Sequence, residues 1–373
     1  MLIWAERVLL PTSEEFVAGW VEIEDDRITA SGAGSAPREP DEVISGTLVP
    51  GLVDAHSHGG GGASFVTDDP AAVDVVLAAH RRFGTTSMIA SLVTGSIEAL
   101  DAQVRLLAAK VRAGDLAGIH LEGPWLAMAY KGAHAPELLA DPDAEAVRRL
   151  LDAGAGTVRM ATIAPERPGA MAAIQVMAAA GCVPAVGHTS ASYEEVREAI
   201  AAGATGATHL FNAMPPLRHR DPGPVLALWE DERVTLELVM DGIHVRPELV
   251  AFVFRTAPDR VVLVTDAMAA AAAPDGDYIL GDLPVEVRDR VARLAGTDTI
   301  AGSTLTLDKA VRNAVAAGVP LAQAVLSVTS RPARYLNLTG VGSLAAGHRA
   351  DLVVLDEAIE VARVMYRGDW LAR

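Results

Sequence analysis

The sequence predicts a TIM-like (β/α)8 barrel carrying a small β-sandwich domain assembled from both chain termini. Three observations lead there. The two ends of the chain read as hairpin-connected strands, the middle repeats a strand-then-helix rhythm eight times, and polar residues collect at the ends of the middle strands. Eight strand-helix units over roughly 285 residues match the size of a barrel of parallel strands. A doubly wound open sheet is the alternative topology for the same rhythm.

The first fifty residues alternate in short runs, "LIWAERVLL", "FVAGWVEIEDDRITASG" and "EVISGTLVPG", broken by Gly, Asp and Pro. Such runs are hairpin strands. The C-terminal stretch "VGSLAAGHRADLVVLDEAIEVARVMYRGDWL" behaves the same way. The expected organisation is therefore a small β domain from residues 1–50 and 336–373, flanking a barrel at 51–335. The eight barrel strands are read at "GLVDAHSH", "TTSMIASL", "GIHLEGP", "TVRMATIAPE", "CVPAVGHTS", "GATHLFNAM", "VTLELVMDGIH" and "RVVLVTDAM". Between them lie helical patterns such as "PAAVDVVLAAHRRFG", "AEAVRRLLDAG" and "SYEEVREAIAAG", several ending on glycine as helices commonly do.

Composition narrows the function. A net charge of −17 with no basic tract argues against nucleic acid or an anionic membrane surface as partner. No apolar run reaches the ~18 residues of a membrane span, and the N-terminus lacks the pattern of a secretory signal, so a cytoplasmic protein is expected. Cys182 is the single cysteine, which excludes an intramolecular disulfide and a thiolate metal cluster. Any metal must be held by His and carboxylate.

In a barrel, chemistry belongs at the C-terminal strand ends. Strand one ends in His56 and His58, strand three in Glu122, strand five in His188, strand six in His209, strand seven in Asp241 and His244, and strand eight in Asp266. His56 and His58 are two apart, so in an extended segment both rings project to one side. Glu122 can bridge two ions with its two oxygens. The nitrogen and oxygen set suits one or two divalent ions, zinc being the expected one, with iron, manganese or cobalt compatible. Asp266 reads as general base toward a water whose pKa a metal lowers to about 7, then as general acid toward the leaving group. An N-cap role toward "AMAAAAA" is the structural alternative. His120 reads as a supporting or plainly structural residue, whereas His80, His219 and His348 are expected to be solvated. Gly59 to Gly62 read as a turn of close approach beside the metal rather than a phosphate loop.

These motifs have a family likeness. "PGLVDAHSHG", "HLEGP", "KGAHAP", "GHTSASYEE", "ATHLFNAMPPLRHRDPG", "MDGIHVRPE", "LVTDAMAAAAAPDGDYILG" and "IAGSTLTLDKAV" resemble, in the same order and over essentially the whole chain, the N-acetylglucosamine-6-phosphate deacetylases of the amidohydrolase superfamily. The resemblance implies hydrolysis of N-acetyl-D-glucosamine 6-phosphate to D-glucosamine 6-phosphate and acetate, in amino-sugar catabolism and cell-wall recycling. It implies Glu122, His188 and His209 as the principal metal site, His56 and His58 as the second site of two-metal members, and Asp266 as the catalytic acid/base. Ala133 and His134 correspond to substrate contacts, with His134 able to polarise the reacting carbonyl. Asn212, Ala213, Arg220 and His244 correspond to sugar-phosphate contacts, and Ile300, Ala301 and Gly302 to a substrate-contacting loop. A homodimer is implied, its active site completed by the neighbouring subunit, with His244 the residue expected to cross.

One departure is "WLAMAYKGAHAP", less polar than in many relatives, over the sugar. Rival readings are a cyclic amidase or deaminase on the same barrel, a deacetylase of other N-acetyl-hexosamine 6-phosphates, and a non-catalytic phosphosugar-binding regulator. Many two-metal cyclic amidases bridge their ions with a carboxylated lysine; Lys110, Lys131 and Lys309 are the only lysines, and none ends a suitable strand.

Overall fold

The computed structural model describes residues 1–11 and 13–372. Its central element is an eight-stranded parallel sheet in which each strand pairs with the next in sequence: Leu52–Asp54, Thr85–Leu92, Gly118–Glu122, Val158–Ile163, Val183–Val186, Gly206–Ala207, Thr235–Val239 and Val261–Val264. This monotonic order has no switch point, so the doubly wound alternative does not apply. Strand Thr85–Leu92 is buried along its whole length, as expected of a parallel sheet covered on both faces.

The ring closes between its first and last strands in two ways. At the C-terminal rim a parallel bridge joins Ser57 to Ala267, where His58 N donates to Ala267 O at 2.7 Å and Asp266 N donates to His56 O at 2.9 Å. Lower down, Val53 N donates to Val328 O and Leu263 N to Ser327 O, so the segment 327–328 fills the gap. Closure at the rim thus ties the His56 segment to the Asp266 segment directly.

Helices follow the strands and pack against their neighbours around the ring. Their starts are written locally: Asp69, Ser96 and Asp143 accept hydrogen bonds from first-turn N–H groups, and Ser192 forms a capping box with Glu195. Helix Tyr193–Ala202 stops on Gly203, whose φ of 121° is costly for a residue with a Cβ.

Both termini meet in one seven-stranded sheet. Its order runs Asp369–Trp370, Val361–Tyr366, Leu352–Leu355, Glu42–Pro50, Leu2–Leu9, Phe16–Glu24 and Arg27–Ala33, antiparallel except where Leu2–Leu9 lies parallel to Glu42–Pro50. The two-residue period divides its faces. Leu48, Leu352 and Val354 enter a separate core with Ile3, Val21, Ile28 and Met365, while Val49, Val353 and Leu355 join the barrel core.

One element was not expected. Between the eighth barrel strand and its helix Leu307–Ala316, the chain builds a three-stranded antiparallel sheet from Gly276–Leu280, Leu283–Arg288 and Val291–Leu294. Its apolar residues Leu280, Val285, Val287 and Ala292 form a small core with Val93, Met268 and Ala301 beside the barrel mouth. No helix among the described residues is long and apolar enough to cross a membrane.

Candidate active site

The site residues leave their strands by sharp local turns. His188, His209 and Asp266 have φ of 47°, 29° and 49°, and Phe211 and Ala213 are also left-handed, at 82° and 51°. Side chains with a Cβ rarely adopt this backbone, and such outliers persist where surrounding structure enforces them. The sixth strand is only Gly206–Ala207, because Leu210 N turns to donate to Glu237 O of the next strand at 2.8 Å.

These turns bring His56, His58, Glu122, His188, His209 and Asp266 into one buried cluster. His188 Nε2 and His209 Nε2 are 3.0 Å apart, and both face Glu122 Oε1, at 3.4 and 3.2 Å. His56 Nε2 and His58 Nε2 are 3.2 Å apart and face Asp266 Oδ1 at 3.5 and 3.3 Å. Glu122 joins the two groups, since its Oε2 lies 3.1 Å from His58 Nε2. His134 Nε2 also lies 3.5 Å from Glu122 Oε2, on the cavity side.

Cation binding fits this donor set on three grounds. His58 Nδ1 faces the Ser91 carbonyl at 3.1 Å and His188 Nδ1 the Tyr130 carbonyl at 2.8 Å, so in each ring a carbonyl holds the Nδ1 proton and Nε2 is the nitrogen turned inward, the one a cation would take. Ligand spacings of 3.0–3.5 Å match the roughly 3.3 Å edge of a tetrahedron with 2.0–2.1 Å metal bonds. The third ground is charge. Burial works against a proton on His58, yet hydrogen bonds to Asp266 and Glu122 lift the ring to about 9. Burial likewise opposes protonation of His56, but Glu122 and Asp266 raise it well above its usual value. Burial would raise the two acids, and the facing imidazoles instead hold Glu122 and Asp266 well below the usual carboxylate range. The carboxylates draw positive charge to the ring nitrogens, and a divalent cation meets that same demand.

A cavity of about 400 Å³ opens above the cluster, a size suited to a small ligand. Ala133, His134, Asn212, Ala213, His244, Ile300 and Gly302 line it with the metal-ligating candidates, and Leu280 of the additional sheet forms part of its wall. Thr94 N–H donates to His134 Nδ1 at 3.3 Å, and Thr94 Oγ1 lies 2.8 Å from the same nitrogen. His134 therefore carries its proton on Nε2, toward the cavity. Burial, then the neighbouring His188, lowers His134 to about 4 despite Glu122, so the ring is neutral near pH 7. Asp241 fixes His244: its Oδ1 accepts from the Ile243 and His244 N–H groups, and its Oδ2 lies 2.7 Å from His244 Nδ1.

Several expectations need correction. His244 was expected to serve a neighbouring subunit, but it lines the cavity of its own chain, 4.0 Å from Asp266 Oδ2, because Asp241 turns it inward. Arg220, on the exposed loop after strand six, lies outside that cavity. Ala301 is fully buried behind the wall, packed with the additional sheet, while Ile300 and Gly302 face the cavity. His80 is not solvated. It is fully buried, its Nε2 lies 2.9 Å from Gly59 O, and a Cβ at Gly60 would approach that nitrogen to 2.5 Å. His80 lies on the helix face of Val73, Val76 and Leu77, a spacing that would have revealed it. His219 is exposed and His348 half-buried. His120 is buried under the cluster, with Ser91 Oγ and Thr162 Oγ1 on its two nitrogens. Asp266 caps no helix, since the chain after it runs through turns.

Two residues had gone unnoticed. Thr94 follows the second strand without any motif around it. Glu237, inside "TLELV", is an acid with no exposed surface in an apolar strand, and that incongruity was its only signal.

A closed parallel barrel with histidines and carboxylates converging at its C-terminal rim defines a metal-dependent hydrolase type of site. The amidohydrolase family model matches residues 47–371, and the chain belongs to that family. It is 36% identical over 360 residues to the N-acetylgalactosamine-6-phosphate deacetylase of Escherichia coli O157:H7, covering 94% of this chain and 95% of that protein. It is 34% identical over 331 residues to the N-acetylglucosamine-6-phosphate deacetylase of Lysinibacillus sphaericus, covering 86% and 84%. Among solved structures, a mutant N-acetyl-D-glucosamine-6-phosphate deacetylase from Mycobacterium smegmatis, in complex with N-acetyl-D-glucosamine-6-phosphate, is 51% identical with a TM-score of 0.96 over 100% of this chain and 99% of that one.

Proposed function

We propose that this chain hydrolyses the acetamide of N-acetyl-D-glucosamine 6-phosphate, releasing acetate and D-glucosamine 6-phosphate, in amino-sugar catabolism and cell-wall recycling. The observation that carries the reading is the single cavity that unites His58, Glu122, His188, His209, Asp266 and His134. Glu122, His188 and His209 would hold one divalent ion and His56, His58 and Asp266, with the second oxygen of Glu122, another; zinc suits these nitrogen and oxygen donors. Bound there, the metal supplies Lewis acidity toward the acetamide carbonyl and toward the attacking water.

The side chains divide the remaining work. Asp266 takes a proton from the attacking water and delivers it to the departing amine nitrogen. His134, neutral and with its proton on Nε2, donates to the carbonyl oxygen as negative charge develops there. Asn212, the Ala213 backbone and His244 hold the sugar phosphate, and Ala133 with Ile300 and Gly302 bounds the sugar. Arg220 is apt for bidentate phosphate binding, and its place outside its own cavity favours service to a neighbouring subunit's site. Leu217, Ile243 and Phe252, all exposed on segments after strands six and seven, supply apolar area for such a homodimer.

The likeness to an N-acetylgalactosamine-6-phosphate deacetylase supports a second reading, acceptance of the galacto epimer. Acetate release from the gluco, galacto and manno N-acetyl 6-phosphates, run with metal analysis of protein purified without chelator, tests both. Preference for the gluco compound is expected. Preference for the galacto compound would reassign the substrate, and no release with a full metal complement would favour a phosphosugar-binding regulator.

A further inference from the structure

Beneath the rim lies one acid that neither the donor set nor the proposed reaction uses. Glu237 has no exposed surface. Its Oε2 lies 3.2 Å from His56 Nδ1 and 3.4 Å from the His209 N–H, and its Oε1 has no hydrogen-bond partner among the described residues. An ionised carboxylate buried like this is strongly unfavourable unless a positive partner offsets it.

The buried Tyr335 hydroxyl also lies against Glu237, but His56 is the hydrogen-bond partner able to carry positive charge, and the contact favours the proton on Nδ1, with Nε2 turned toward Asp266 and Glu122. The other candidate ligands are supported differently. His58 and His188 give Nδ1 to neutral carbonyls, of Ser91 and Tyr130, and His209 Nδ1 has no partner among the described residues. Of the four imidazoles, His56 alone has a carboxyl group at its Nδ1.

That asymmetry falls on one of the two cation positions. Two dications sharing Glu122 repel each other, and the second to bind bears the cost. A buried carboxyl group hydrogen-bonded to the far nitrogen of His56 orients that ring, makes it a stronger donor, and so lowers that cost. We infer that Glu237 is a positioning residue that secures filling of the His56–His58–Asp266 position, leaving the Glu122–His188–His209 position largely independent of it. The inference rests on the reading of the rim cluster as a two-ion site.

The test uses the full chain, stripped of metal and titrated with Zn2+ or Co2+, with bound metal per subunit measured after gel filtration and affinities measured by calorimetry. Wild type is expected to take up two ions. Glu237→Gln keeps the volume and an acceptor oxygen but not the charge, and should weaken the second ion about 10- to 100-fold with the first unchanged. Glu237→Leu should bind a single ion. Circular dichroism of the metal-free variants checks folding, and Glu237→Gln carries the test if the leucine variant does not fold. Wild-type affinity for both ions in Glu237→Gln, or equal weakening of both, overturns the inference. Uptake of one ion by wild type at every concentration overturns the two-ion reading and this inference with it, which separates the two failures.

Discussion

Asp266 faces the paired imidazoles of His56 and His58, is held by its backbone to the first strand, and opens on the cavity. Asp266→Asn keeps the shape of the side chain and removes its ability to take a proton. The variant is expected to fold and keep the ion at Glu122, His188 and His209, with the His56–His58–Asp266 position weakened, while kcat falls by ~10²- to 10⁴-fold, as read by acetate release and metal analysis. In the proposed reaction His134 would act through its orientation. Thr94→Val removes the hydroxyl at Nδ1 but keeps the backbone N–H there, so a smaller loss than that of His134→Ala is expected, the latter ~10²- to 10³-fold in kcat; equal losses would deny Thr94 a merely supporting part. Cys182 is inert by burial, which pushes its thiol up to about 12 against the opposing pull of Arg159. A thiol reagent at pH 8 should label no cysteine in the native protein and one after denaturation. Because the folded pKa lies above the unfolded one, this thiol leaves stability intact below about pH 8.5 and diminishes it as pH rises toward 12.

At the scale of elements, the join between the first and eighth strands matters most, since the site straddles it. Asp54 is buried there, its Oδ2 accepting from Thr265 Oγ1 at 2.6 Å and its Oδ1 from the N–H groups of Thr265 and His56. Asp54→Ala leaves those donors without their acceptor and is expected to cost about 2–4 kcal/mol, seen as a lowered denaturation midpoint. By contrast Ser192→Ala removes only a helix cap and should cost about 1 kcal/mol without altering turnover. A larger cost at Ser192 than at Asp54 would mean that rim closure is not what stabilises the barrel. The additional three-stranded sheet acts on the cavity wall through Leu280, so it bears on the substrate rather than on the metal.

For the whole molecule, the proposed homodimer makes a prediction no single chain can satisfy. If Arg220 serves the neighbouring site, Arg220→Ala should raise KM with kcat nearly unchanged. Mixing that variant with Asp266→Asn should then restore activity, because each hybrid dimer contains one site with both residues intact. Absence of restoration in demonstrably hybrid dimers would be evidence that every site is built from one chain. Removing metal with a chelator should lower the melting temperature as well as abolish turnover, since an ion that binds only the folded barrel stabilises it by mass action.

The sequence by itself determined the α/β class of the fold and which residues gather at the ends of its strands. Apolar strand runs alternating with capped helices call for a parallel sheet covered by helices, and the period-two runs at the termini for a second sheet, while the observed order, each strand beside the next, decides for the closed barrel over the open sheet. His56, His58, Glu122, His188, His209 and Asp266 were legible because each ends a strand, and strand ends of a barrel share one face. What only the tertiary structure decided depends on approach between distant segments. The 276–294 sheet escaped notice because its strands are short and half-exposed, resembling connecting loop. His244 turns into its own cavity because Asp241 fixes the local turn, and His80 is buried because its helix packs that face inward, where it supports Gly59. Glu237 reaches His56 across 181 positions of sequence, a pairing that no local pattern encodes and that barrel closure alone creates.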